Sequence, residues 1–354
     1  MSRRSVNLIV DRCVARQPAS TLHRLNPWRC FYPTAQEALA AADAAANNKQ
    51  RVVIITEDAP LPRAAISFYE PLNDIGSIHL MSLGRSSNDI PHAPKNALVS
   101  LAVADDALYL LELNPGTEEE DHSFEALVHR AGRGLYNDEW YWRSLPPPPY
   151  AYDDCRGSKS GVYEEYRRRC YEHNGRDPYG IEAYAVVGET QIWISIKGGG
   201  TFPFDTTSGG AWSEAQNWAL PFCGRVEYAP ELALWFGFSS EAEGSPFAAC
   251  DLGAASSTRP PVLQEVRDKL APALPERWVP VQEFLLPLGS GKFCIATVFE
   301  LAPRGWSRGN DYLSVETFVV LTGVEVERGR RGALSMIRHK SRRYRVGGTV
   351  ACLL

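Results

Sequence analysis

Among eight cysteines the sequence has no Cys-x-x-Cys pair, and it has no Asn-x-Ser/Thr sequon. These absences speak against a secreted disulfide scaffold. Several cysteines sit inside apolar runs such as "KFCIATVF" and read as small buried hydrophobes of a reducing compartment. No apolar stretch approaches the roughly 20 residues that span a bilayer. None near the N-terminus has the uninterrupted apolar centre of a secretory signal. There is also no excess of positive charge. The net charge is −5 and the pI near 5.9, so no nucleic-acid footprint and no membrane partner are expected.

Catalytic signatures are missing too. The seven histidines fall at 23, 79, 92, 122, 129, 173 and 339, with no His-x-His and no His-Glu-x-x-His. Residues 157–161 read Gly-Ser-Lys-Ser-Gly, with Lys159 where a nucleophile elbow needs serine. No Walker loop or Gly-x-Gly-x-x-Gly follows a strand, and "GGG" at 198–200 reads as a hairpin turn. The acidic run "TEEED" reads as a solvated loop. The expectation is a chain with no catalytic residue, no metal ligand set and no cofactor.

What is present is core material and turns. Apolar residues make up 44% of the 354 and charged residues 22%, a globular balance. Twenty-eight glycines, 25 prolines, nine tryptophans and 15 tyrosines favour β structure with many turns. Short β-type runs recur throughout, among them "VNLIV", "LVSLAVA", "ALYLLEL", "TQIWISI", "LALWFGF", "KFCIATVF" and "TFVVLTGVEV". One helix is expected, at 34–48. Thr34 and Glu37 have capping-box spacing, and eight alanines fall within 35–46. With little large apolar surface, that helix belongs on the outside. Residues 146–179 begin with four prolines and continue polar, charged and tyrosine-rich. They read as a long excursion loop between strands.

A unit also recurs. Phe124-Glu125 is followed by Trp140, Trp142 and Leu145-Pro146. Phe204-Asp205 is followed by Trp212, Trp218 and Leu220-Pro221. Recurrence of one supersecondary unit marks a repeat fold, and units near 50 residues suit kelch-type blades. A four-stranded sheet has two apolar faces, and stacking blades around an axis buries both. In this reading the acids accept turn N–H bonds and the tryptophans fill gaps between blades.

The stretches "RRSVNLIVD", "FYPTAQEA", "SLAVADDALYLLEL", "WYWRSLPPPP", "TFPFDTTSGGAWSEAQNWALPF", "VEYAPELALWFGFS", "LGSGKFCIATVFE", "FVVLTGVEVERG" and "MIRHKSRRY" run in order along the chain. Together they resemble the cereal "domain of unknown function 1668" family, a kelch-like group expanded in grasses. The resemblance implies a β-propeller without an assigned reaction and supplies no catalytic residue. The expected fold is thus an all-β, kelch-like β-propeller of five to six blades as a single domain, 1–354, with one short Ala-rich surface helix. Between "SIHLMSLGRSS" and "PKNALVSLAVA" only "NDIPHA" stands where the family has another strand pair, so one blade is expected to be incomplete.

The two chain ends carry charge. From Arg328 to Arg345 there are eight Lys/Arg and no acid. "RHKSRRYR" is readable as a nuclear import signal, but the β-type "LSMI" before it favours a solvent-facing edge strand. Residues 1–30 hold six arginines and one acid, and Val6, Ile9, Val10, Cys13 and Val14 fall on one helical face. That suits a mitochondrial presequence. The β-branched "VNLIV" instead suits a first strand, expected to close the ring on "TFVVLTGVEV" or "LSMIRHKS".

The expected function is non-enzymatic: an intracellular module, cytoplasmic or nuclear, that binds another protein. Tyr163, Tyr166, Arg167, Arg168, Arg169 and Tyr171 of the excursion are the expected contacts, since Tyr and Arg are enriched at binding hot spots. Two alternatives stand beside it: a mitochondrially targeted effector acting by protein binding, and an enzyme with a site assembled across blades in the central channel.

Overall fold

The computed structural model describes residues 5–14, 17–47, 56–62, 66–69, 92, 98–104, 107–113, 122–130, 139–152, 180–196, 199–207, 209–240, 246–268, 275, 277–301, 316–329 and 332–353. These are mostly β, with one α-helix, and the sheets do not close into a barrel.

The strands fall into five four-stranded antiparallel units. Unit I holds β1 (Val6–Val14) and β2 (Gln17–Leu25). The helix α1 (Ala35–Asn47) and β3 (Thr56–Ala59) come next, and then β4 (Ile66–Tyr69), which pairs with β2. Unit II is the meander β5 (Leu98–Val103), β6 (Ala107–Glu112), β7 (Phe124–Arg130) and β8 (Glu139–Ser144). Unit III is β9 (Ile181–Val187), β10 (Gln191–Ile196), β11 (Gly200–Asp205) and the two-residue β12 (Ala211–Trp212). Unit IV is β13 (Phe222–Ala229), β14 (Leu234–Ser239), β15 (Phe247–Cys250) and β16 (Gln264–Asp268). Unit V is β17 (Trp278–Gly289), β18 (Lys292–Leu301), β19 (Glu316–Arg328) and β20 (Leu334–Val346). The last strand, β21 (Thr349–Leu353), returns to unit I and pairs antiparallel with β1.

Among the described residues, units III, IV and V are hydrogen-bonded to one another through short parallel pairings, β9 with β13 and β16 with β20. The seams between units are apolar. Leu111, Phe124, Ile194 and Phe204 join II to III. Ala185, Trp193, Phe222 and Trp235 join III to IV, and Phe236, Phe247, Phe293 and Met336 join IV to V. Val6, Leu8, Leu321 and Tyr344 join V to I. Each sheet therefore buries apolar residues against its neighbour, as a two-faced sheet must.

The N-terminal helical pattern loses to period-two alternation. Val6, Leu8 and Val10 are each 0% exposed. Asn7 and Ile9 between them are half-buried, because a strand sends alternate side chains to opposite faces. The C-terminal strand that pairs with β1 is β21, not β19 or β20 as the sequence suggested. The basic C-terminal run is not a free edge either. Leu334–Met336 of β20 pair with β16, and Ser341–Tyr344 pair with β3. Three of its charges are met by acids: Arg338 by Asp268 at 2.7 Å, Arg343 by Asp58 and Arg345 by Glu316. An import signal needs an accessible extended peptide, and this one is spent in a ladder.

The helix lies on the surface, against β20, with Ala38 buried and Gln36 and Glu37 exposed. Thr34 Oγ1 accepts the Glu37 N–H at 3.2 Å and donates its own proton to Glu37 Oε1 at 3.2 Å. Glu37 thus closes the box on the threonine hydroxyl rather than on the backbone N–H. The turn before α1 docks closely on β19. An added Cβ at Gly323 would lie 2.4 Å from the Cys30 carbonyl oxygen, so glycine is required where two backbones meet.

Candidate functional site

Two tryptophans of the recurring unit, Trp212 and Trp218, clamp one unit to the next. Trp212 lies against Phe204 (4.9 Å) and Phe124 (5.7 Å), and its Nε1 donates to the Pro146 carbonyl at 2.8 Å. The Trp of unit III therefore grips the Leu-Pro turn of unit II. Trp218 rests on Trp193, and its Nε1 donates to the Ser256 carbonyl in unit IV at 2.8 Å. Trp142 is buried on β8, while Trp140 beside it is 44% exposed and touches His129.

The acids are not equivalent. Asp205 ends β11, and its Oδ1 accepts the Thr207 N–H (2.8 Å) and hydroxyl (2.7 Å), the turn role expected for it. Those bonds hold its carboxyl below the usual carboxylate range. Glu125 stands instead at the start of β7 and is 0% exposed. Its Oε1 accepts the backbone N–H of His92 at 3.1 Å and lies 2.5 Å from His92 Nδ1.

A second histidine completes this group. His122 lies two residues before the first residue of β7, with φ +45°, a left-handed conformation that few side chains adopt. In an extended chain residues 122 and 125 would face opposite sides of the sheet. The left-handed residue breaks that alternation. The His122 and His92 rings stack with centroids 5.0 Å apart, and His122 Nδ1 lies 2.6 Å from Ser144 Oγ at the end of β8. One ligand atom from each of His92, His122 and Glu125 lies within 4.8 Å of the other two. No local motif marks this set, because 33 residues separate His92 from Glu125. Only the strand β7, with His92 bonded to it, brings them together.

Among the described residues, His339 and several cysteines are tied into the packing. His339, whose side chain is 1% exposed, accepts the Tyr32 N–H at Nδ1 (3.2 Å), so Nε2 carries the proton and donates to Glu325 at 3.2 Å. Burial pushes its pKa below the ordinary histidine value, against the pull of Glu325. Cys30, Cys250 and Cys294 are buried and form no disulfide. Burial raises Cys250 to about 12 and Cys294 well above its ordinary value, which leaves both unreactive. The expected contacts Tyr163, Tyr166, Arg167, Arg168, Arg169 and Tyr171 lie outside the described residues, as does most of the segment where a strand pair was expected to be missing.

The family model described as "Protein of unknown function (DUF1668)" matches residues 89–344. The chain belongs to that family. The match runs from just before His92 through units II, III and IV and most of unit V, so it takes in the His–His–Glu group and the clamping tryptophans. Unit I lies before it, apart from β21, which lies after it. No curated protein matches the sequence.

Proposed function

We propose that this DUF1668-family protein is a kelch-like propeller of five units, a single domain that acts by binding another protein and catalyses no reaction. The observation that carries the reading is the succession of five four-stranded antiparallel units with apolar seams, its last strand paired back onto its first. The first strands of successive units also lie together: β5 against β9, β9 paired to β13, and β13 against β17. In a propeller those strands line the axis. Such a ring offers loops at two mouths and few exposed edges.

Two surfaces suit a protein partner. One is the polar part of the excursion 146–179 that follows its buried start at Pro147, Pro148, Tyr150 and Ala151, with Tyr163, Tyr166, Arg167, Arg168, Arg169 and Tyr171 as proposed contacts. The other is the outer strand β8, which no strand covers among the described residues and which presents Trp140. Trp is among the residues most enriched at binding hot spots. The proposed compartment is the cytoplasm or nucleus.

The test is affinity capture of the intact chain from plant cells beside a variant with 152–178 replaced by a Gly-Ser linker. The linker variant is expected to keep its Tm and lose its captured partners. Substituting Arg167, Arg168 and Arg169 by Ala should reproduce much of that loss. Full recovery of partners with a folded linker variant would overturn the loop assignment. An intact chain that captures nothing would overturn the binding reading itself. An enzyme with its site across units along the axis would need chemistry on the first strands. The His–His–Glu group instead gathers at the start of β7, the third strand of unit II, with His92 coming from the segment before β5.

A further inference from the structure

We propose that His92, His122 and Glu125 form a binding site for a divalent transition metal, with zinc the ion that the donor set suits best. The proposal is independent of whether the protein acts by binding a partner.

Two imidazoles and one carboxylate are a recurrent three-ligand set for zinc, leaving one position for water or another ligand. Calcium and magnesium prefer oxygen donors and are disfavoured here. The arrangement exceeds what an ion pair requires. Glu125 is wholly buried and already meets His92 at its Oε1. A second imidazole stacked 5.0 Å away adds nothing to that pair. If both rings were protonated, two cations would face each other over one carboxylate. A metal ion uses both rings in their neutral form and places its own positive charge beside the buried carboxylate.

The surroundings support this use. Ser144 Oγ holds Nδ1 of His122, which fixes the ring and leaves its other nitrogen for an ion. Outer hydrogen bonds of this kind orient metal-bound imidazoles. The left-handed backbone at His122 is the strain that turns this side chain toward Glu125. The His92 side chain is 47% exposed, so an ion can enter and a solvent ligand can complete its shell. Ligand–zinc bonds of about 2.0–2.2 Å put two ligand atoms of a tetrahedral ion about 3.3–3.6 Å apart. The 2.5 Å contact of His92 with Glu125 therefore has to open by about 1 Å, and separations that reach up to 4.8 Å have to close toward the same distance.

The test uses the metal-stripped full chain. Calorimetric titration with Zn²⁺ should give one saturable equivalent with a Kd of micromolar or tighter, and Zn²⁺ should raise the Tm, since it binds the folded state. Co²⁺ in its place should give the intense visible absorption of a four-coordinate site with nitrogen donors. His92→Ala and His122→Ala should each weaken Zn²⁺ binding at least about tenfold, and the pair together should abolish it. Neither histidine is a core residue, so both variants read the site even where Glu125→Gln fails to fold. No saturable Zn²⁺ binding, or binding undiminished in the double variant, would overturn the proposal.

Discussion

Units II and III end alike and begin differently. Each places a tryptophan on its fourth strand, Trp142 on β8 and Trp212 on β12, and each then turns through Leu-Pro. Their Phe-acid pairs sit at opposite ends of the third strand: Phe124-Glu125 opens β7, and Phe204-Asp205 closes β11. The phenylalanines still meet, edge to face at 4.8 Å, because both point into the seam between the units. The acids do not. One is buried beside two histidines and the other caps an exposed turn. Similar letters at similar spacing therefore mark a shared seam and divergent chemistry. What recurs is what packing requires, and the polar residue next to it is free to differ.

The largest test asks whether the seam is in fact shared. Phe124→Ala and Phe204→Ala should each cost about 3–5 kcal/mol, since each ring is fully buried against the other. Because the rings touch, the double variant should cost less than the sum of the two. Denaturant unfolding of the three variants measures this. Additive losses would separate the two seam positions and break the comparison at its strongest point.

The next test concerns the acids. Glu125→Ala removes a buried acceptor from two His92 donors and should cost about 1.5–3 kcal/mol, near the low end because His92 is half-exposed. Urea unfolding at pH 7 checks it. A neutral result would mean that His92 finds solvent partners without strain and that the burial of Glu125 carries no structural weight.

These residues also show where the sequence was legible. Val-, Ile- and Phe-rich strands such as β10, β14, β18 and β19 announce themselves, because burial on both faces leaves little room for polar residues. β17 does not. It carries Pro280 and Pro287 and a largely exposed first half, features tolerated because it is the end strand of its sheet. β20 read as an edge because its arginines look solvated, and only the fold supplies the carboxylates that meet three of them. The His–His–Glu group had no local signal at all. His122 precedes the acid by three residues, a spacing that brings them together only with a left-handed residue at His122.

A smaller effect contrasts a buried titrating group with an exposed one. His339 is neutral in the fold, with its Nδ1 committed to the Tyr32 N–H. Its folded pKa lies below its unfolded one, so below about pH 6.5 the unfolded chain binds the extra proton. The stability it contributes is complete above that pH and is lost as pH falls through the folded value. The Tm should therefore decline between pH 7 and pH 5, and His339→Gln should flatten the decline. An unchanged slope in the variant would place the acid response elsewhere.

The smallest effect belongs to Asp205. Asparagine at this position keeps an acceptor oxygen for the Thr207 N–H and hydroxyl but loses the charge that strengthens both bonds. The turn is exposed, so water replaces much of what is lost. Asp205→Asn should lower the Tm at pH 7 by several-fold less than Glu125→Ala does. The hydrogen bonds from Thr207 depress the folded pKa of Asp205. Its contribution is thus present above the ordinary carboxylate range and disappears as pH falls through the folded value. Wild type and variant should differ slightly at pH 7 and converge in strong acid. Thermal melts at both pH values decide this. If Asp205→Asn instead costs as much as Glu125→Ala, the two acids do equal structural work despite their surroundings. Burial would then have been the wrong measure of their difference, and the case for a special role at Glu125 would rest on metal binding alone.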